Sequence, residues 1–156
     1  MSGNALPPHV AAVAPELAYR LLNFGPTVLL SVAHAGRRNV MAAAWNVPLE
    51  FKPPRVAVVL DKSTLTRELL LQAGTLVIQV PGAALAETTF AAGSCSGHDL
   101  PAGADKLVHC GMPVFEPEMA PAPLVAGCVA WLACRRIAEP HMEQAYDLFV
   151  FDVTAA

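Results

Sequence analysis

Residues 27–46 read TVLLSVAHAGRRNVMAAAWN, and this stretch decides the fold class. Thr27 to Val32 is rich in β-branched and apolar residues and runs into Ala35-Gly36-Arg37-Arg38, a hairpin turn before a second strand over Asn39 to Asn46. Two antiparallel strands follow. Upstream, Ala14 to Leu22 has helical composition, with Pro15 tolerated in the first turn, and stops before the breakers Asn23-Phe24-Gly25-Pro26. Downstream, Pro48, Pro53 and Pro54 interrupt the chain before Arg55 to Leu60 resumes as a nearly continuous apolar strand of the buried type.

Asp61-Lys62-Ser63 predicts the start of a helix over Thr64 to Gln72, with Ser63 as cap and Ala73-Gly74 as its stop. Thr75 to Val80 is the next strand, closed by Pro81-Gly82. A short helix over Ala84 to Ala92 then leads to the Gly-Ser-rich segment Gly93 to Gly97. Beyond it the chain reads as irregular and Pro-rich through Pro123, apart from a short helix near Asp105, and the last strands fall over Ala126 to Ile137 and Asp147 to Val153. Many short strands with few helices predict a mostly β protein. The expected architecture is a small closed barrel, Greek-key-like, formed by residues 1–156 as a single domain.

Composition narrows the function. With 54% apolar and 15% charged residues the chain is packed rather than disordered, and that excess of apolar side chains suggests a homodimer to cover it. A net charge of −3 gives no basic footprint for nucleic acid. The longest apolar run, Leu124 to Cys134, is too short to cross a bilayer, and Met1 to His9 lacks the pattern of a secretory signal, which places the chain in the cytoplasm. Cys95, Cys110, Cys128 and Cys134 form no CxxC pair, and the five histidines share no ligand spacing, so neither zinc nor a redox dithiol is expected. Cys128 and Cys134 read as core residues.

Three polar segments stand out. Asn39-Val40-Met41-Ala42-Ala43-Ala44-Trp45 would let a flat ring lie against backbone amides, although an ordinary strand with alanines packed beneath a helix explains it as well. Lys62-Ser63-Thr64-Leu65-Thr66-Arg67 sets hydroxyls and cations at a helix N-terminus, which suits a phosphate; the plain alternative is a capped helix with solvated cations. Gly93-Ser94-Cys95-Ser96-Gly97-His98-Asp99 imitates a nucleophile elbow around Cys95 but lacks the strand leading in and the helix leading out. It reads as a loop that wraps a polar ligand or as a plain flexible one, with Lys106 placed to add charge or to sit solvated.

In their order these strings resemble the flavin reductase-like family of the FMN-binding split barrel. The likeness continues through Pro53-Pro54 before Val56 to Leu60, Thr75 to Pro81, Asp105-Lys106 and the closing strand Asp147 to Val153. The resemblance implies a six-stranded barrel, usually a homodimer, with FMN in a groove near the subunit interface. Carried over, Asn39, Met41, Ala42, Ala43 and Ala44 would lie along the isoalloxazine and ribityl, largely through backbone groups. Lys62, Ser63, Thr64 and Thr66 would hold the phosphate end with Lys106, and Gly93, Ser94, Cys95, Ser96 and Gly97 would close over the ligand.

Family members commonly carry Thr or Ser where Ala42 to Ala44 stand, so hydroxyl contacts to the flavin are expected to be missing. Relatives often continue past the last strand with a tail that shapes the nicotinamide side, whereas this sequence stops at Ala156. The implied activity is an NAD(P)H-dependent flavin reductase that passes electrons through bound FMN to free flavin or another acceptor, a partner oxygenase among them. No side chain need act as acid or base, so no catalytic residue is expected. A non-enzymatic FMN electron carrier and a flavin-free structural dimer domain are the alternatives.

Overall fold

The computed structural model describes residues 26–118 and 120–156, so the helix expected over 14–22 lies outside the described residues. Strands β1 (Val28–His34) and β2 (Arg37–Ala43) form the expected hairpin, with Val28 opposite Ala43 and His34 opposite Arg37. Their turn is only Ala35-Gly36, both with positive φ (48° and 76°), as a tight two-residue hairpin requires.

Seven strands follow one hydrogen-bonded path: β2, β1, β5 (Thr75–Pro81), β8 (Cys128–Arg136), β10 (Tyr146–Ala155), β4 (Pro54–Asp61) and β3 (Asn46–Phe51). All neighbours are antiparallel, and the two-residue β9 (His141–Met142) pairs with β10 beside this path. The two ends of the path, β2 and β3, are consecutive in the chain and joined by Ala44 and Trp45, whose carbonyl accepts the Val59 N–H at 3.0 Å. The sheet therefore closes through the chain itself rather than through a ladder, and the barrel is split along that seam. The protein is mostly β, as the sequence predicts.

Inside the barrel, Val28, Leu30 and Val32 of β1 meet Val58, Leu60, Leu76, Ile78, Cys134, Phe149 and Phe151. Helix α1 (Leu65–Ala73) adds Leu65, Leu69 and Leu70 to the same core. Outside, Leu29 and Val40 are covered by α2 (Ala86–Ser94), α3 (Lys106–His109) and the hairpin of β6 (Val114–Phe115) with β7 (Leu124–Val125). Val28 to Val32 is thus buried on both faces, which is why it reads as an unbroken apolar run.

Several boundaries differ from expectation. The strand expected over Asn39 to Asn46 ends at Ala43, and a separate strand, β3, runs through Pro48, tolerated because β3 ends the ladder. The cap of α1 is Thr64, whose Oγ1 accepts from the Arg67 N–H at 3.3 Å, because Ser63 is already engaged by Asp61. Helix α2 extends through Gly93 and Ser94, so two residues expected in a loop are helical. The segment expected to be irregular up to Pro123 contains the β6–β7 hairpin. Buried Gln79 and Ser31 hold that segment to the sheet: Ser31 Oγ donates to the Pro123 carbonyl at 2.6 Å, and Gln79 Oε1 accepts from Val125 N–H at 2.6 Å. Two polar residues inside apolar strands were the available signal.

Candidate functional site

Three elements converge on a cavity of about 290 Å³. Asn39, Met41 and Ala42 of β2 form its floor, Ser63, Thr64 and Thr66 at the start of α1 form one wall, and Gly93 to Gly97 form the other, with Lys106 at the side. An open groove of about 590 Å³ adjoins it through the shared residues Ala42, Gly93 and Ser94. Thr27, Pro81, Gly82, Ala86, Thr89 and Phe90 complete that groove.

Close packing sets the shape. A Cβ at Gly97 would lie 2.7 Å from Asn39 Oδ1 and 2.7 Å from Leu65 Cδ2, so glycine lets the loop rest on both β2 and α1 without displacing those side chains. A Cβ on Gly93 would stand 3.3 Å from the Ala42 Cβ, which makes this the narrow point between the two spaces. Asn39 is buried; its Nδ2 donates to Thr66 Oγ1 at 2.8 Å while its Oδ1 has no partner among the described residues.

The charges are unevenly placed. Lys106 is buried, and its Nζ donates to the Ala92 carbonyl at 2.8 Å; burial pushes its ammonium below the usual lysine range. Asp105 positions it by capping α3, accepting from the Leu107 N–H at 2.8 Å and pairing with Arg38. Lys62 lies off the cavity instead, donating to the Glu143 carbonyl at 2.6 Å and standing 3.5 Å from Asp147 Oδ1. Arg67 Nε also donates to Asp147, at 2.8 Å. At the α1 start, the Ser63 N–H and hydroxyl both donate to Asp61 at 2.8 Å, and these bonds hold the Asp61 carboxyl below its usual range.

Of the sequence-predicted residues, Asn39, Met41, Ala42, Ser63, Thr64, Thr66, Gly93 to Gly97 and Lys106 line the cavity. Ala43 does not, although it shares a face of β2 with Asn39 and Met41; it packs on the barrel core, and Ala44 lies past the end of β2. Cys95 is the cap residue that ends α2, so a helix leads into it and the elbow context is missing. Thr89 and Phe90, which line the groove, gave no sequence signal beyond helical composition. Among the described residues there is no cluster of three or more His, Cys, Asp or Glu that could hold a metal ion, and no helix is long and apolar enough to cross a membrane.

A polar chamber at a helix N-terminus, beside a buried cation and continuous with an apolar groove, suits an elongated ligand that is anionic at one end and flat at the other. The unpartnered Asn39 Oδ1 is consistent with such a ligand. A barrel split beside this groove defines the split-barrel class of cofactor-binding domains. The flavin reductase like domain model matches residues 20–156, and the chain belongs to that family.

A crystal structure of an FMN-binding domain of a flavin reductases-like enzyme from Shewanella baltica OS155 is similar at 51% identity and TM-score 0.76, covering 92% of this chain and 74% of that one. The uncharacterised protein YddH of Escherichia coli (strain K12) is 45% identical over 142 residues, 89% of this chain and 73% of that protein. Flavoredoxin of Desulfovibrio vulgaris (Miyazaki F) is 26% identical with TM-score 0.72, covering 84% and 68%.

Proposed function

We propose that this chain binds FMN in the joined cavity and groove and acts as an NAD(P)H-dependent flavin reductase, delivering electrons to free flavin or another acceptor such as a partner oxygenase. The observation that carries the reading is the continuity of a polar chamber at the α1 N-terminus with an apolar groove across the Ala42–Gly93 narrows. When bound, FMN supplies two-electron transfer at its ring.

The residues of this chain divide the remaining work. The amides at the start of α1, other than the Arg67 N–H that Thr64 caps, would hold the phosphate with the Ser63, Thr64 and Thr66 side chains. Lys106 would balance its charge, while Lys62, held by Asp147, would contribute through the local field rather than contact. Asn39 and Met41 would orient the ribityl chain, and the backbone of Ala42 to Ala44 would face the ring. Gly93 to Gly97 would exclude water from the phosphate end. The chain is read as a cytoplasmic homodimer, with the exposed apolar side chains of β3 as the covered face.

FMN titration of the purified protein, followed by flavin fluorescence and the visible spectrum, tests this reading. Saturable binding that is lost in Ala42→Leu, which fills the narrows, is expected. NADH and NADPH oxidation by the loaded protein should then accelerate when free flavin is added. Binding without nicotinamide oxidation would leave an electron carrier; no binding to the intact protein would sink the flavin reading.

A further inference from the structure

A second chamber, of about 420 Å³, plays no part in the proposed function. It shares Leu65 and Gly97 with the cavity at the start of α1, so the two spaces are divided by the close contact between those residues. Its volume falls in the range of about 300–1,000 Å³ usual for small-molecule sites. Arg37 and Arg38, at the start of β2, form part of its lining, and the loop from His98 to Ala104 forms most of the rest.

The two arginines are held differently. Arg37 Nη1 stands 2.9 Å from Glu68 Oε1, His98 Nε2 stands 3.7 Å from Glu68 Oε2, and all three side chains are at least 40% exposed. Ion pairs this open contribute little to stability, so a phosphate can take the place of the carboxylate on Arg37. Arg38 is gripped twice and more deeply set: its Nε donates to Asp105 and its Nη1 to Glu116. That grip fixes the guanidinium plane, and a fixed guanidinium is a stacking surface for a flat base. Leu100, Pro101, Ala102 and Ala104 add uncharged, mostly apolar lining for the same base.

We propose that this chamber takes the adenosine-phosphate half of a dinucleotide whose other half occupies the cavity and groove. The placement of that other half rests on the proposed function; the adenosine-phosphate site does not. FMN ends with its phosphate at the start of α1 and leaves the chamber unused. A second phosphate carried past Gly97, where no side chain raises the divide, would reach Arg37, and the base would lie on Arg38. Two dinucleotides share this half: FAD, in place of FMN, and NAD(P)H. Their common chemistry is an adenosine bearing a diphosphate, so ADP is the probe.

The test is calorimetric titration of the full chain with ADP. Saturable binding is expected, weakened about tenfold both by Arg37→Gln, which removes the phosphate contact, and by Ala102→Phe, which fills the chamber from an exposed loop position. Both variants should keep the circular dichroism and the FMN affinity of the unaltered chain. The two sources then separate. FAD binding tighter than FMN, with only FAD weakened in the variants, identifies the flavin dinucleotide; equal flavin affinities, with the KM for NADH or NADPH raised at unchanged kcat, identify the nicotinamide one. No binding of ADP to the intact chain, or binding that both folded variants leave unchanged, overturns the proposal, and FMN binding in those samples leaves the flavin reading standing. ADP binding to a chain that takes up no flavin counts against the flavin reading and keeps the adenosine-phosphate site. Variants that weaken ADP but alter neither FAD affinity nor the KM for NAD(P)H overturn the link to the cavity.

Discussion

Lys106 is only 4% exposed, and among the described residues its one hydrogen bond goes to a carbonyl that any donor could satisfy and no carboxylate pairs with it. A cation held out of water without a carboxylate partner is more readily explained by an anionic ligand than by stability. Lys106→Met is therefore expected to hold or raise Tm while weakening FMN binding about tenfold; a fall in both would make the lysine structural. Its neighbour Asp105 is also shifted down, but for a carboxyl that shift favours the charged form. Burial pushes this carboxyl up, but hydrogen bonds from Arg38 and from the Leu107 and Val108 amides outweigh burial and hold it below the ordinary 3.8. A depressed folded pKa means the stabilisation is complete above that value and is lost as pH falls through the folded one. Asp105→Asn, which keeps the cap but not the charge, should cost about 0.5–1 kcal/mol in urea unfolding at neutral pH and converge with the wild type in strong acid.

At the scale of elements, β2, α1 and the end of α2 are held together largely by what Gly97 lacks. Gly97→Ala introduces two contacts too short to keep, so the loop or the buried Asn39 and Leu65 side chains must shift. The expected outcome is a loss of about 1–3 kcal/mol in thermal melts, with FMN affinity falling further than that loss alone explains. These elements were legible in the sequence because their signals are local: breakers around apolar runs, hydroxyls before a helix, glycines after one. What was not legible depended on distant partners. Ser63 looked like the cap, yet Asp61 engages it and leaves the role to Thr64. Lys62 looked like a phosphate ligand, yet Asp147, far along the chain, draws it away. Pro48 looked like a break because nothing local reveals that its strand lies at the end of a ladder.

For the whole molecule, burial inside the barrel dominates stability. Phe149 and Phe151 are fully buried with ring centroids 6.2 Å apart, and Phe149→Ala is expected to cost about 3–5 kcal/mol in denaturant unfolding. On the outside, β3 exposes Val47, Leu49 and, at 91%, Phe51. The proposed homodimer puts this face at its interface, so Phe51→Glu should give a monomer in light scattering where the unaltered chain gives a dimer, while leaving melting behaviour nearly unchanged. Strand number and hydropathy were enough to foretell a barrel, but not that its seam would be crossed by Ala44 and Trp45. The ladder order has a further meaning for how the molecule is made. The tenth strand lies between β8 and β4, so while a ribosome is still adding residues before Tyr146, both of those edges stand unpaired and the Phe149 and Phe151 rings are missing from the interior. A nascent chain stalled there holds two sticky borders and a hollow centre, so the demand for chaperones should peak late in synthesis and drop once that strand slides into place.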